Sequence, residues 1–321
     1  MNSEETASRP APTQAAGERG VLTMLATAGR KEQRRARRWG IFFKLLTFAY
    51  LFTLLIMFAD FDFGDGGMSD KHTALVSMEG VIFEGEPAGA DKIVGGLRAA
   101  YKDSNTAGIV LKINSPGGSA VQSRYIYNEI RRLRKKHPEV PLYAVVSDIC
   151  ASGGYYVAAA ADAIYADKSS IIGSIGVRMD GFGFVDAIEK LGIERRSLTA
   201  GDHKALLDPF LPENTLERAH LQSMLDDVHQ QFITAVKDGR GERLADDEIL
   251  FTGLIWSGEQ ARKLGLVDDF GSPGFVAREV IGVEDVVDFT QSEGLLERVA
   301  GRVGTGIGKV IYGGLLVPVL R

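Results

Sequence analysis

From Ile41 to Ala59 the chain reads IFFKLLTFAYLFTLLIMFA, with Lys44 as its only charged residue. About 20 apolar residues coiled as a helix match the hydrocarbon thickness of a bilayer. This run separates a short leading segment from the long remainder that must form any packed domain. Lys44 lies near its start, where the aliphatic stem lets the ammonium reach the interface. Trp39 suits the same boundary. A buried core helix is one competing reading, and a cleaved signal peptide is another. The latter is disfavoured because the run is long, starts about 40 residues in and is followed by no small-x-small cleavage pattern. The expectation is one transmembrane helix over residues 39–59, in contact with lipid.

The flanks give a direction. Lys31, Arg34, Arg35, Arg37 and Arg38 precede the run, whereas DFDFGDGGMSD after it carries only acids until Lys71. Basic residues stay on the cytoplasmic side, so the N-terminus is expected inside and everything after Asp60 outside. Residues 1–38 then form a disordered basic tail and residues 60–71 a linker. Residues 72–290 form the packed domain. The apolar, Gly-rich tail over 291–321 is too short and interrupted for a second span.

Composition narrows the chemistry. A net charge of −5 provides no global basic field for nucleic acid. Cys150 is the only cysteine, which excludes an intrachain disulfide. His72, His137, His203, His220 and His229 are scattered, and neither HExxH nor CxxC occurs, so neither a metal nor a cofactor is expected.

After residue 72, strand-like and helix-like stretches alternate. Thr73–Phe83, Ala107–Ile113, Pro141–Ser147 and Ala163–Ala166 read as strands; Ala90–Tyr101, Val121–Lys136 and Leu216–Asp238 read as helices. Such alternation argues for an α/β fold with largely parallel pairing.

Two Gly-rich turns carry the chemical interest. Ser152 follows the strand PLYAVVS and opens ASGGYYVAAAA, a turn into a small-residue helix. A strand-to-helix turn exposes a side chain at the carboxyl edge of a sheet, beside the free N–H groups of the helix. That suits a nucleophile, although on local sequence alone an N-cap serine is the commoner role. It is not a G-x-S-x-G elbow, because no glycine stands two residues before Ser152. SPGGS, residues 115–119, is the second turn, able to form an oxyanion hole or simply a tight reversal. For a base, His203 and Lys204 compete in TAGDHKALLDPF. A lysine serves when burial and neighbouring positive charge favour its neutral form. Cys150 could be a thiol nucleophile, but buried structural cysteine is commoner.

INSPGGS (113–119), ASGGYYVA (151–158), IIGSIGV (171–177) and the lysine of GDHKALLDPF (201–210) together resemble the signal peptide peptidase A family of bacterial serine peptidases. The likeness runs from about residue 72 to 280. It implies a Clp protease/crotonase-like fold of stacked ββα units, assembled as a homo-oligomeric ring around an inner cavity. It also implies Ser152 as nucleophile, Lys204 as general base, Ser174 orienting the lysine, and Gly118 and Gly153 N–H groups as oxyanion hole. The 52-residue Ser-to-Lys spacing fits the short, single-repeat form, in which sites can be completed by adjacent subunits. His203 departs from the family, which commonly has an aromatic residue there. Implied substrates are remnant signal peptides at a bacterial cytoplasmic membrane, with the catalytic domain periplasmic. The alternatives are a quality-control protease for membrane proteins, a non-catalytic ring scaffold, and acyl-CoA chemistry of the crotonase type, which an extracytoplasmic domain would not meet.

Overall fold

The computed structural model describes residues 34–35, 37–54 and 71–291. The chain divides into two units, residues 1–66 and 67–321.

In the first unit residues 37–54 form a helix, α1, whose apolar side chains stand exposed on every face. The Thr47 and Thr53 hydroxyls donate to the Phe43 and Ala49 carbonyls one turn back, both at 2.8 Å, so neither presents an unpaired donor. No helix among the described residues is long and apolar enough to cross a membrane. The described part of the expected span stops at Leu54 and includes Lys44; residues 55–59 lie outside the described residues. Residues 1–33, most of the linker (60–70) and the tail from residue 292 also lie outside them.

The second unit is built on one sheet of eight strands. They are β1 (His72–Glu79), β2 (Thr106–Ser115), β3 (Leu142–Ala151), β4 (Ala163–Ala166), β5 (Ile171–Gly173), β6 (Ile255–Ser257), β7 (Asp269–Phe270) and β8 (Val286–Asp288). The main path runs β6-β5-β3-β2-β1-β8, and β4 and β7 branch from β3. Every pairing is parallel except β5 with β6. The mixed α/β architecture with a largely parallel sheet is therefore present.

The connecting helices are α2 (Ala90–Lys102), α3 (Ala120–Lys136), α4 (Gly153–Ala158), α5 (Val185–Lys190), α6 (Thr215–Arg240) and α7 (Gly258–Lys263). The strands are apolar runs because they are covered on both faces. On one face Val76, Met78, Leu111, Ile113 and Val146 pack against Ile93 and Leu97 of α2 and Ile126 and Ile130 of α3. On the other a smaller cluster gathers Val110 and Val145 under Val276, in a π-helical turn (Val276–Ile281). Burying each such side chain contributes about 1.5–3 kcal/mol.

Three strands depart from the sequence expectation, and the departures shape the site: β2 runs on past Ile113 to Ser115, which was expected in the turn. β1 ends at Glu79 and not Phe83, because Gly80 takes φ +91° and turns the chain; Ile82 then rejoins through one bridge to Gly118. β3 continues past Ser147 to Ala151. Its first half pairs with β4 and its last three residues with β5, so the sheet forks around it.

At the far end of the fold α6 is anchored by Arg240, 2% exposed. Its guanidinium donates to both oxygens of Asp268, at 2.7 and 2.9 Å, and to the Gly265 carbonyl. Burial alone would raise the Asp268 pKa; the Arg240 hydrogen bonds and charge outweigh it and hold the carboxyl below its usual range.

Candidate active site

Ser152 sits where β3 stops and α4 begins, with φ +51° and ψ −123°. A non-glycine residue there costs about 1–3 kcal/mol and persists only when its neighbours hold it. They do so on both sides. The Ser152 N–H donates to the Gly173 carbonyl at 2.8 Å, and its carbonyl accepts the Tyr156 N–H at 3.0 Å. Ser152 is the N-cap residue of α4, but its side chain makes no capping bond. The hydroxyl is thus left for the solvent side of the turn, where it borders a cavity.

The Gly117–Gly118 turn closes on Ser152 from β2. Gly117 has φ +97°, and a methyl group added there would lie 2.6 Å from the Gly153 nitrogen and 2.8 Å from the Ser152 Cβ. Only glycine permits so close an approach of the two turns. Gly118, φ +151°, is pinned against Ile82: the Ile82 N–H donates to the Gly117 carbonyl at 2.9 Å, and the Ser119 N–H to the Ile82 carbonyl at 2.8 Å. Neither the Gly118 nor the Gly153 N–H finds an acceptor among the described residues. Two unpaired donors beside a serine hydroxyl are what an oxyanion requires.

A third strained turn completes the cavity wall. Ser174 has φ +54°; its N–H donates to the Leu254 carbonyl at 2.7 Å, and its carbonyl accepts the Gly176 N–H at 2.9 Å. Since Gly173 holds the Ser152 N–H, the turn bearing Ser174 is stitched directly to the one bearing Ser152. Ser152, Ser174, Gly118 and Gly153 line one cavity of about 760 Å³. Its apolar walls include Val81, Phe83, Tyr156, Val228 and Phe232. His229 on α6 lies 3.1 Å through Nε2 from the Ile175 carbonyl and ties that helix to the Ser174 turn.

Lys204 is elsewhere. It is exposed and lines a separate hollow with Arg195, Thr199, Asp208 and Phe210. The two cavities share no lining residue. Among the described residues, Arg178, paired with Asp180 at 3.3 Å, is the one acidic or basic side chain on the Ser152 cavity wall. His203 is also exposed, with Nδ1 2.9 Å from Glu217. Cys150 is fully buried, and burial pushes its thiol well above the ordinary range, which leaves it no part as a nucleophile. Among the described residues, no group of three or more His, Cys, Asp or Glu side chains could hold a metal. Sequence reasoning overlooked Val81, Phe83 and Phe232 on the wall, each of which reads simply as a strand or helix residue, and it placed Ser115 in the turn without assigning its hydroxyl a partner.

The sequence of the chain is similar to those of known proteins. The family model for peptidase family S49 matches residues 134–281. A protease-named protein of Methanocaldococcus jannaschii is 35% identical over 222 residues, covering 66% of this chain and 70% of that protein. Protease 4 of Haemophilus influenzae is 33% identical over 203 residues, 62% of this chain and 32% of its own length. The Na(+)/H(+) antiporter NhaA of Brucella abortus is 42% identical over 215 residues. That match covers 67% of this chain but only 29% of the antiporter's length.

Proposed function

The chain belongs to peptidase family S49, and we propose that it is a membrane-anchored serine endopeptidase in which Ser152 is the nucleophile and Lys204 the general base. The observation that carries the reading is the Ser152 turn itself. A strained serine whose hydroxyl caps nothing faces a cavity beside two unpaired backbone donors. In the mechanism Ser152 Oγ attacks the scissile carbonyl carbon while its proton passes to the Lys204 amine. The oxyanion is held by the Gly118 and Gly153 N–H groups. The C–N bond then breaks as the lysine returns the proton to the leaving amine. Water, activated by the same amine, hydrolyses the resulting ester. Ser174, on the same wall, orients the lysine.

The base comes from a neighbouring copy in a homo-oligomeric ring. Two observations support this. Ser152 and Lys204 of one chain line different cavities. The segment that carries Lys204 also exposes apolar side chains that its own fold leaves uncovered: Phe182 (79%), Leu191 (73%) and Leu198 (101%), around α5, which buries none of its residues. Such a surface favours association. With Clp protease/crotonase-like units in a ring and residues 39–59 in the bilayer of a bacterial cytoplasmic membrane, the catalytic domain faces the periplasm. Substrates are peptides emerging at that surface, remnant signal peptides first among them.

Mixing distinguishes the arrangements. Ser152→Ala and Lys204→Ala should each abolish cleavage of a fluorogenic peptide. Co-assembled one to one, they should recover about a quarter of wild-type sites, those pairing an intact serine with a neighbour's intact lysine. Inactive mixtures that nevertheless assemble would place serine and lysine in one subunit, and full activity of Lys204→Ala alone would remove the dyad.

A further inference from the structure

Gly118 can donate to an oxyanion only if its turn stands at the right height above Ser152, and glycine has no side chain with which to fix itself. Beneath the turn lies Ser115, the last residue of β2, with no exposed surface. Its hydroxyl donates to the Gly80 carbonyl at 2.6 Å and accepts the Gly117 N–H at 3.1 Å. Gly80 is the residue that turns β1 toward Ile82, and Ile82 brackets Gly118 through the Gly117 carbonyl and the Ser119 N–H. One hydroxyl therefore ties together the two segments between which Gly118 is held. The backbone of Ser115 is fixed too. It pairs with Cys150 in the β2–β3 ladder, and its carbonyl lies 2.9 Å from where a methyl group on Gly154 would stand. The turn that carries Gly153 thus rests on the same residue.

We infer that Ser115 is a positioning residue for the oxyanion hole: its buried hydroxyl sets the Gly117–Gly118 turn so that the Gly118 and Gly153 N–H groups converge on one point beside Ser152. It is not among the residues that line the cavity. Its effect passes through the Gly117 N–H, and it is felt most in the transition state, when the carbonyl oxygen becomes an anion. The inference rests on Ser152 being the nucleophile.

The test compares wild type, Ser115→Ala and Ser115→Cys as full-length protein in detergent, with Ser152→Ala as reference. Measurements are kcat and KM on a fluorogenic peptide, the affinity of a peptide boronate that forms the tetrahedral adduct, and the affinity of the cleaved product peptide. Loss of an aligned oxyanion donor costs about 10²–10³ in kcat, and misalignment a part of that. Ser115→Ala should therefore lose about 10–100-fold in kcat, with KM and product affinity little changed and boronate affinity falling in parallel. Ser115→Cys keeps a small, weakly hydrogen-bonding group in place and serves if the alanine variant does not fold; it should show the same split at smaller size. Wild-type kcat in either variant, or equal losses of product and boronate affinity, would overturn the inference and leave Ser152 untouched. Activity surviving in Ser152→Ala would instead overturn the nucleophile assignment, and this inference with it.

Discussion

Gly117→Ala probes the close approach of the two turns. At φ +97° an alanine is strained by about 1–2 kcal/mol relative to glycine. The added methyl would also sit 2.6 Å from the Gly153 nitrogen, 2.8 Å from the Ala151 carbonyl oxygen and 2.8 Å from the Ser152 Cβ. None of these neighbours is the free end of a flexible side chain, so backbone must move by several tenths of an ångström. Oxyanion donors work over a window of about 2.7–3.1 Å, and a shift of that size takes at least one donor out of it. The expected loss in kcat is about 10²–10³, equivalent to about 2.7–4 kcal/mol of transition-state stabilisation, with a smaller loss in folding stability. Gly282→Ala separates strain from clash. Its φ is +81°, nothing lies within 4 Å of an added methyl, and it stands just beyond the C-terminal π-helical turn. That variant should lose about 1 kcal/mol of stability and keep wild-type kcat. Steady-state kinetics and thermal denaturation of both proteins make the comparison. A Gly117→Ala enzyme with kcat within a few-fold of wild type would refute the claim that the two turns must touch for catalysis.

Asp268→Asn leaves the buried Arg240 guanidinium without its counter-charge and should cost about 3–5 kcal/mol, read as a fall in denaturation midpoint; a change below 1 kcal/mol would show the clamp to be unimportant. Because folding lowers the Asp268 pKa, its contribution is present above the ordinary carboxylate range and is lost as pH falls through the lowered value. The wild-type denaturation midpoint should therefore fall over that acid range by more than that of Asp268→Asn, and parallel curves would contradict the assignment. For topology, alkaline phosphatase fused after residue 75 should be active in a bacterial host. An inactive fusion would reverse the orientation.

Sequence and structure agree where local chemistry leaves few choices. Pro116-Gly117-Gly118 and Gly153-Gly154 announce turns whatever surrounds them, and the structure needs positive φ at Gly117 and Gly118. β4 occupies the expected residues because AIYA is a short apolar stretch between turn-forming neighbours. The far end of β3 was illegible because Asp148 interrupts its apolar pattern, and a register shift after Ile113 lets Ser115 meet Cys150. Asn114 explains how the strand survives there: its side chain donates to Asp148 at 2.9 Å and accepts the Ile149 N–H at 3.2 Å. Nothing local foretells such a long-range bond. β5 and β6 are three residues each, too short to show a period. The site divides in the same way. Ser152 and Gly118 stand at turns that the sequence spells out, whereas Ser115 looks like any small turn residue until Gly80 is brought over it. Lys204 has no local signal at all, since an exposed lysine beside a histidine is ordinary surface, and it lines a different hollow from Ser152.

The central claim is that Ser152 is the nucleophile, and covalent labelling tests it most directly. Full-length protein in detergent is treated with a fluorophosphonate probe, digested and mapped by mass spectrometry. The account requires one adduct, on the peptide containing Ser152, absent from Ser152→Ala and formed far more slowly in Lys204→Ala. A probe adduct on another residue, or peptide cleavage that persists in Ser152→Ala, would contradict it.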